Sequence, residues 1–260
     1  MSWIITGTQK NNWTPADIDT ALWLDAADAS TITTVGGAVS QWSDKSGNNR
    51  HATQSDATRR PSFTSSALNG YSALTFDGTN DGLTCGDAFY SANLLIFAVA
   101  KTSNTSAEQN IVSKWKATGN QRKFIFRFRS TNKMGAFFSF DGTSPNSGFL
   151  DTIGTAGTGW LISGAVRNGT ALTVSLNGTQ NSSTLASTSL FNSTAELAIG
   201  FNFDGSNVFE PLNGQIAAIV IATNPSLTDL QKLEGWAAHK YGLTANLPAG
   251  HPYKLVGPTP

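Results

Sequence analysis

The pattern of apolar positions changes character near the end of the chain. Residues 216–222 are almost continuously apolar and too few to span a membrane, which is typical of a strand covered on both faces. The next apolar positions, Leu230, Leu233, Ala237 and Tyr241, recur at helical spacing. The pattern therefore predicts one buried strand followed by one short amphipathic helix.

Residues at both ends bound this helix. Ser226 is a good N-cap, and Asp229, three residues on, suits the exposed amides and the dipole of the first turn. Gly242 offers the left-handed stop that commonly follows a helix. The sequence thus predicts a helix that begins at Leu227 and stops at Gly242.

The remainder of the chain alternates with a period of two. Residues 123–129 switch between aromatic and mostly basic side chains, and Asn168-Gly169 is a strong hairpin signal. A strand every ten or so residues is typical of a sandwich of antiparallel sheets. The predicted strands include residues 21–26, 39–44, 73–76, 93–100, 109–114, 123–129, 134–140, 160–166, 171–176 and 196–200.

Composition narrows the classes of partner. Only 13% of the residues are charged and the formal net charge is +0, so no whole-molecule field favours nucleic acid or an acidic membrane. Trp 7 and Phe 15 supply enough large side chains for a packed core. A single cysteine, Cys85, excludes an intrachain disulfide and a multi-cysteine metal site.

The chain divides into three parts. Residues 1–19 form an N-terminal arm, residues 20–247 the domain, and residues 248–260 an extended C-terminal tail. The arm begins without the basic start and long apolar run of a secretion signal. Its apolar residues predict either a segment that lies on the domain or an arm that docks on a partner. They are Trp3, Ile4, Ile5 and Trp13.

Several short motifs together resemble one family, the concanavalin A-like, laminin-G-like jelly rolls. The resemblance spans roughly residues 20–254. It implies an all-β fold, a two-sheet antiparallel jelly-roll sandwich with one short C-terminal helix, and such sequences are common among tailed-phage virion proteins and large bacterial surface proteins. The motifs are Leu22–Ala26, Gln41–Asn48, Ala52–Gln54, Arg60-Pro61, Phe76–Gly78 with Asp81, Gly214–Ala217, the 227–242 helix and Leu247–Tyr253.

Catalytic sets are missing from the sequence. The family includes glucanases, whose retaining mechanism needs two carboxylates about 5–5.5 Å apart. Cys85 is more typical of a small buried apolar residue than of a nucleophile. We therefore predict no enzyme, no catalytic residue and no cofactor. The glutamates are far apart in sequence, at Glu108, Glu196, Glu210 and Glu234, and no triad motif surrounds His51, His239 or His251.

The turn from Asp77 to Asp81 contains oxygen ligands at short spacing. Calcium favours such clusters, and some members of the wider fold bind it at loop rims. The alternative is a hairpin turn whose Asp and Asn side chains satisfy their own backbone, and we favour that interpretation. Residues 204–207 allow the same two interpretations. We predict no metal site, with Asp77 and Asp81 as the calcium candidates.

Two surfaces are candidates for binding. Strand 123–129 directs its phenylalanines to the core and Lys123, Ile125, Arg127 and Arg129 to the other face. That basic face is either a solvated sheet face or a contact surface for an acidic partner, with Lys123, Arg127 and Arg129 as the binding residues. A carbohydrate site would instead need exposed aromatics. Those in or near predicted loops are Trp115, Phe149, Phe201, Phe203 and Phe209.

The resemblance and the missing catalytic set favour a non-enzymatic phage virion protein. The main prediction is capsid decoration on the head exterior, with a virion location and the major capsid protein or another virion protein as partner. The alternative is a carbohydrate-binding module of a tail fibre or bacterial surface protein, with a host-surface glycan as partner. A homo-oligomer is compatible with either function, although no heptad repeat supports a trimer.

Overall fold

The computed structural model describes residues 13–144, 146–205 and 207–260. Over these residues the chain is built from β-strands and one α-helix, as the sequence predicts. No helix in this part of the chain is long and apolar enough to cross a membrane. In chain order the elements are β1 (Thr20–Asp25), β2 (Ile32–Val35), β3 (Ala38–Trp42), β4 (Ala52–Thr53), β5 (Ser62–Leu68), β6 (Tyr71–Asp77), β7 (Leu83–Thr84), β8 (Leu94–Thr102), β9 (Gln109–Lys116), β10 (Gln121–Arg129), β11 (Lys133–Ser139), β12 (Ser147–Asp151), β13 (Leu161–Asn168), β14 (Ala171–Leu176), β15 (Thr179–Thr184), β16 (Ala198–Ile199), β17 (Asn202–Asp204), β18 (Asn207–Phe209), β19 (Asn213–Thr223) and α1 (Leu227–Lys240).

The strands form two antiparallel layers, which confirms the predicted two-sheet sandwich. The front sheet runs in the order β4, β7, β16, β9, β10, β11 and β12. In the back sheet β19 pairs with β1 and β6 on one side and with β8 on the other, and β13, β14 and β15 follow β8. Strand β3 pairs with β4 and β5 and so joins the layers, while β17 and β18 form a separate hairpin.

The main core lies between the two sheets. The front sheet contributes Phe124, Phe126 and Phe128 from β10, each at most 1% exposed. The back sheet contributes alternate residues such as Ile219 and Ile221 of β19. Burying several large rings in one layer supplies the apolar area that stabilises the sandwich.

A second core lies between the back sheet and α1. Strand β8 contributes side chains to both cores. Ile96 and Ala98 face the main core, while Leu95, Phe97 and Val99 face the helix. Strand β19 divides its side chains in the same way. The continuous apolar run predicted for a strand covered on both faces therefore reflects two separate cores.

Helix α1 begins and ends where the sequence predicts, within two residues. The Ser226 hydroxyl accepts from the Asp229 amide and Asp229 accepts from the Ser226 amide, which closes a capping box. The chain leaves the helix through Gly242 at φ +68°. The C-terminal segment packs directly on α1 at Gly235, where a Cβ would stand 2.3 Å from the Cβ of Tyr253. This close approach explains why a glycine occupies a position inside the helix.

A buried polar contact fastens that C-terminal segment. Glu234 is 0% exposed, and its carboxylate accepts from the Ser175 hydroxyl and from His251 Nε2, the latter at 3.0 Å. The Tyr253 amide donates to His251 Nδ1 at 3.2 Å, which leaves the proton on Nε2. The sequence did not suggest this cluster. Ser175 contacts the carboxylate and not the imidazole, so the arrangement is not that of a nucleophilic triad.

The loop 43–50, which carries part of the family resemblance, has a structural role here. The Asp44 carboxylate accepts from the backbone amides of Trp23, Ser46 and Arg50 at 2.9–3.0 Å. These bonds fix the loop against β1. The neighbouring carboxylate of Asp25 is buried and contacts Lys240, the Tyr241 hydroxyl and Lys45, which ties β1 to α1.

Candidate functional site

Among residues 13–144, 146–205 and 207–260, no α-helix covers the outer face of the front sheet. We call it the front face. Each residue on it is flanked along its strand by residues of the main core, so its side chain points outward. One row of cross-strand neighbours crosses the front face in register: Thr53, Thr84, Ala198, Ser113, Ile125, Phe137 and Phe149.

The β17–β18 hairpin crosses the middle of this row. It covers the two smallest members of the row, Ala198 and Ser113, which are 2% and 0% exposed. The Ser113 hydroxyl donates to the Phe201 carbonyl at 3.0 Å, and the Asn110 amide donates to the Glu210 carbonyl at 2.9 Å. Both ends of the hairpin are therefore fastened to β9, and it divides the front face into two basins.

The side chains along the first hairpin strand alternate between these basins. Asn202 and Asp204 line a cavity of about 440 Å³ over β9, β10 and β11. We call the aromatic basin this cavity together with its border of Phe149, Arg129 and Glu108, which contact the lining residues Phe137 and Arg127. Phe201 and Phe203 line a cavity of about 560 Å³ over β4 and β7, which we call the hydroxyl basin. The alternation follows from the period of two in a strand.

Gly82 makes room for the hairpin on the hydroxyl side. A Cβ at this position would stand 1.7 Å from the ring of Phe201. No side chain other than hydrogen fits that space without moving the ring. The glycine therefore helps to fix the height at which the hairpin crosses the sheet.

The arginines of the aromatic basin are held by carboxylates from distant parts of the chain. Arg127 Nη1 lies 2.6 Å from Glu210, and Arg127 Nε lies 3.0 Å from Glu108. Arg129 Nε lies 3.6 Å from both Glu108 and Asp151. Arg127 and Arg129 are on the outer face as predicted, but these pairs neutralise them, so the face is not a free basic surface.

Aromatic rings surround the same arginines. Phe137 and Phe149 stack at 5.1 Å with 10° between their planes, and the guanidinium groups of Arg127 and Arg129 lie 4.5 and 4.8 Å from the Phe137 ring. Phe149 is 57% exposed and Phe209 is 45% exposed. These contacts hold the rings rigidly while leaving ring surface open to solvent.

Polar groups at the hairpin complete the aromatic basin. Asp204 accepts from the backbone amide and the hydroxyl of Thr118, both at 3.0 Å. The Asn202 side-chain oxygen is buried and has no hydrogen-bond partner among the described residues. A buried acceptor without a partner is uncommon in proteins, and a ligand hydroxyl can reach this one only after a neighbouring side chain moves.

The prediction that Lys123 lies on the outer face of β10 is wrong. A β-bulge between Arg122 and Phe124 removes Lys123 from the outer face, because the inserted residue shifts the side-chain pattern. The side chain is 0% exposed and donates to the carbonyls of Tyr90 and Phe191 at 3.3 Å. Burial, with help from nearby Lys114 and Arg167, lowers the pKa of Lys123 to about 8.

Of the predicted N-terminal anchors, the structure describes Trp13, which packs in the second core and not on the front face. Trp3, Ile4 and Ile5 lie outside the described residues. Trp13 is 1% exposed and packs in the second core, with Lys232 Nζ 5.8 Å from its ring. Its indole therefore contributes to the fold, and its use as a partner anchor stays a prediction.

The calcium candidates lie in a turn whose carboxylates already bond to backbone. Asp77 accepts from the amides of Thr79 and Asn80 at 2.8 and 3.2 Å, and Asp81 accepts from the Asp77 amide at 3.1 Å. Burial alone would raise the pKa of Asp77, but these amide bonds outweigh it and lower that pKa. Burial and the charge of Asp77 raise the pKa of Asp81 to about 6.

Metal and thiol chemistry have little support in the described residues. None of these residues form a cluster of three or more histidine, cysteine or acidic side chains suited to a metal. Calcium binding at Asp77 and Asp81 stays a prediction. Cys85 packs against the main core, and burial raises the pKa of its thiol well above the ordinary range, so little thiolate is present at neutral pH.

The comparisons with known proteins rest on structure alone. No protein-family model and no curated protein matches this chain. Domain 4 of AbnA, an extracellular GH43 arabinanase of Geobacillus stearothermophilus solved with arabinotriose, has a TM-score of 0.57 at 14% identity and covers 83% of this chain and 98% of its own. The binding domain of botulinum neurotoxin serotype D has a TM-score of 0.56 at 13% identity, with 84% of this chain and 51% of its own covered.

A third solved structure matches a smaller part of the molecule. The CBM40 of a Ruminococcus gnavus IT-sialidase, bound to α2,3-sialyllactose, has a TM-score of 0.46 at 16% identity and covers 54% of this chain and 80% of its own. This chain spans about half of the toxin structure. Capsid decoration, a virion location and a capsid partner stay predictions. What the comparisons establish is the fold, an all-β jelly-roll sandwich like those of the AbnA domain and of the toxin binding domain.

Proposed function

We propose that this protein is a non-catalytic carbohydrate-binding domain whose ligand lies in the aromatic basin. One observation carries the proposal. Exposed aromatic rings stand beside charged side chains that already hold one another in place, on the sheet face that no helix covers. A site prepared in this way loses little side-chain freedom when a ligand binds.

The chemistry of the basin suits a sugar. The face of an aromatic ring is electron-rich, so Phe149 and Phe209 offer favourable surfaces to the weakly positive C–H groups of a pyranose or furanose. The carboxylate of Asp204 and the guanidinium of Arg122 offer an acceptor and donors for ring hydroxyls. A mainly apolar surface with a few fixed polar groups is the usual form of a small-ligand site.

Likeness to known structures supports the same proposal. The AbnA domain was solved with arabinotriose and matches nearly its whole length to this chain. We expect binding without turnover. The carboxylates beside the basin, Glu108 and Glu210, both hold Arg127, whereas a hydrolase needs one carboxyl group to protonate the leaving oxygen and a second to attack or to activate water.

Affinity gel electrophoresis in a panel of polysaccharides tests the proposal. The panel contains linear arabinan, xylan, galactan, mannan and mixed-linkage β-glucan, and a glycan array extends it to sialylated and other host-type oligosaccharides. We expect the full chain to be retarded by at least one member. The double variant Phe149→Ala/Phe209→Ala should then lose about 10-fold or more in affinity, since each stacked ring contributes about 1 kcal/mol.

A matched control separates binding from general surface change. Val35 is 56% exposed on β2, much like Phe149 at 57%, but it lies outside the aromatic basin. Val35→Ala should leave retardation unchanged. No retardation or array signal for the wild-type chain, or equal binding by the double variant, would show that the aromatic basin is not a glycan site.

A further inference from the structure

The hydroxyl basin, on the other side of the β17–β18 hairpin, is the larger of the two cavities at about 560 Å³. We propose that it is a second carbohydrate subsite, which takes uncharged sugar residues by hydrogen bonding, so that the domain binds an oligosaccharide through two subsites. This inference rests on the proposed function and adds to it the length and the charge of the ligand.

Unused hydrogen-bonding groups line this basin. The hydroxyls of Thr53 and Thr84 are cross-strand neighbours on β4 and β7, so they stand about 5 Å apart on a rigid sheet. Neither hydroxyl, nor the carboxylate of exposed Glu196, has a hydrogen-bond or ion-pair partner within the described part of the chain. Donors and acceptors that the fold does not use are available to ring hydroxyls.

The guanidinium of Arg60 is held in a fixed orientation beside them. Its Nε donates to the Gln54 carbonyl at 2.9 Å and its Nη2 donates to the Ser55 carbonyl at 2.8 Å. Both partners are uncharged backbone oxygens. The planar group is therefore fixed by the loop, and its remaining N–H groups can donate to a ligand.

The charges of the hydroxyl basin point to an uncharged sugar. Two arginines line it, Arg59 and Arg60, and two carboxylates, Asp56 and Glu196. Arg59 lies 3.5 Å from Asp56, so one positive charge is already compensated. A basin of balanced charge has no net attraction for an anionic sugar, whereas each of its polar groups can bond to a hydroxyl.

The hairpin supplies an aromatic wall to this basin as well. The rings of Phe201 and Phe203 lie 5.5 Å apart, and the Arg59 guanidinium lies 5.7 Å from the Phe203 ring. Phe203 is half-buried and faces the cavity. One strand, β17, therefore presents an aromatic ring to the hydroxyl basin and polar groups to the aromatic basin.

The register of the front sheet sets the distance between the subsites. Thr84 and Ile125 are three strands apart in the same cross-strand row, which corresponds to about 14 Å. That distance exceeds a single sugar ring. An oligosaccharide that reaches both basins gains affinity because its second contact is intramolecular.

The test compares variants of the two basins in the full-length chain. The polysaccharide from the panel that retards the wild-type protein is used, together with its linear oligosaccharides of increasing length. The triple variant Thr53→Val/Thr84→Val/Glu196→Gln keeps the shape of each side chain, removes the two hydroxyls and replaces one carboxylate acceptor by an uncharged amide donor. We expect it to lose about 10-fold in affinity for the longer oligosaccharides, given the usual value of a few hydrogen bonds.

Chain length provides the distinguishing measurement. Isothermal titration of the wild-type protein should show affinity rising with oligosaccharide length until both basins are reached, and the triple variant should lose that rise while it keeps its affinity for the shortest binding sugar. The Phe149→Ala/Phe209→Ala variant should weaken short and long sugars alike. Circular dichroism and thermal melts confirm that each variant is folded.

The outcomes separate the two proposals. If Phe149→Ala/Phe209→Ala abolishes binding while the triple variant binds long oligosaccharides as the wild type does, the proposed function stands and the second subsite is wrong. If no panel member or array glycan binds the wild-type chain, both proposals fail together. Tighter binding of a uronic-acid oligosaccharide than of its neutral counterpart would overturn the assignment to uncharged sugars.

Discussion

The two outer faces of the sandwich are built in opposite ways. The back face is closed by α1 and the C-terminal segment over an apolar core, with the buried carboxylates of Glu234 and Asp25 tying these parts together. The front face has no helix, and its outward residues are arginines, carboxylates, aromatic rings and hydroxyls, divided by one hairpin. The same fold therefore uses one face for stability and leaves the other free for binding.

This difference means that stability and binding should respond to different substitutions. Apolar burial on the back face contributes to the free energy of unfolding in proportion to the area removed from water. Surface ion pairs on the front face contribute little to stability but fix the geometry of a site. Each of the following predictions tests that separation, from the largest expected effect to the smallest.

Leu230→Ala should give the largest loss of stability. The Leu230 side chain is 0% exposed in the second core, and a Cβ on Gly164 would stand 2.5 Å from its Cδ1, so the packing there is tight. We expect a loss of about 3 kcal/mol in the free energy of unfolding, measured in urea, from the lost burial and the cavity. Leu227→Ala, in the same helix at a 45% exposed position, is the control and should cost far less.

Glycan binding by the Leu230→Ala variant should match the wild type at temperatures where the variant is folded. A parallel loss of affinity would show that the two faces are coupled through the sandwich. In that case the front face could not be treated as an independent binding surface.

Asp25→Asn should give the next largest effect. Asp25 is 0% exposed and lies against Lys240, Lys45 and the Tyr241 hydroxyl, which tie β1 to α1. The amide keeps the shape but leaves the two lysines without a buried anion. Because both lysines are partly exposed, we expect a loss of about 2 kcal/mol, below the range for a fully buried pair. Asp28→Asn, at the exposed end of the same network, is the control and should change stability little.

Asp81→Asn should increase stability at neutral pH. Its pKa is about 6 in the folded protein, against about 3.9 in an unfolded chain. Between these values the folded state binds more protons than the unfolded state, so the wild-type free energy of unfolding falls as the pH rises from 4 to 6. The amide removes this pH dependence. After allowance for solvent screening, we expect a gain of about 1 kcal/mol at pH 7 and none at pH 3.5.

The same variant tests the calcium prediction. A calcium ion between Asp77 and Asp81 would relieve their repulsion, so millimolar calcium would raise the melting temperature of the wild-type protein and not that of Asp81→Asn. An equal response of both proteins to calcium would count against a site in this turn.

Phe149→Ala should have the smallest effect on stability. Its ring is 57% exposed, stacks on Phe137 and lies 5.9 Å from the Arg129 guanidinium, so we expect a change within about 0.5 kcal/mol. Its effect on retardation by a polysaccharide should be clear. A large fall in melting temperature would mean that the front face also stabilises the fold, contrary to the comparison of the two faces.

Local patterns predicted most of the fold. The capping box at Ser226, the strand over 216–222 and the hairpin at Asn168-Gly169 were each readable because the signal lies within a few residues and agrees with the tertiary structure. The phenylalanines of β10 were assigned to the core for the same reason. The domain boundaries at residues 19 and 247 stay predictions.

The candidate site was only partly predictable. Arg127 and all five aromatic residues that the sequence offers for a carbohydrate site, Trp115 among them, lie on the front face. Glu108 and Glu210 reach Arg127 from 19 and 83 residues away, and no local pattern encodes such contacts. Lys123 was misplaced because a bulge cannot be seen in a strict period of two. The division into two basins depends on the register of the seven strands of the front sheet and on the path of the β17–β18 hairpin across it, and the sequence indicated only the turn of that hairpin, at residues 204–207.

The β17–β18 hairpin has a consequence for how this molecule can be diversified. Both of its ends are hydrogen-bonded to β9, and beneath it lie only the small side chains of Ala198 and Ser113. A library that varies residues 202–209 would therefore alter both basins at once while the two cores keep their sequence. The jelly roll then serves as a constant scaffold, and a single short exchangeable segment becomes the natural place to select new ligand specificities.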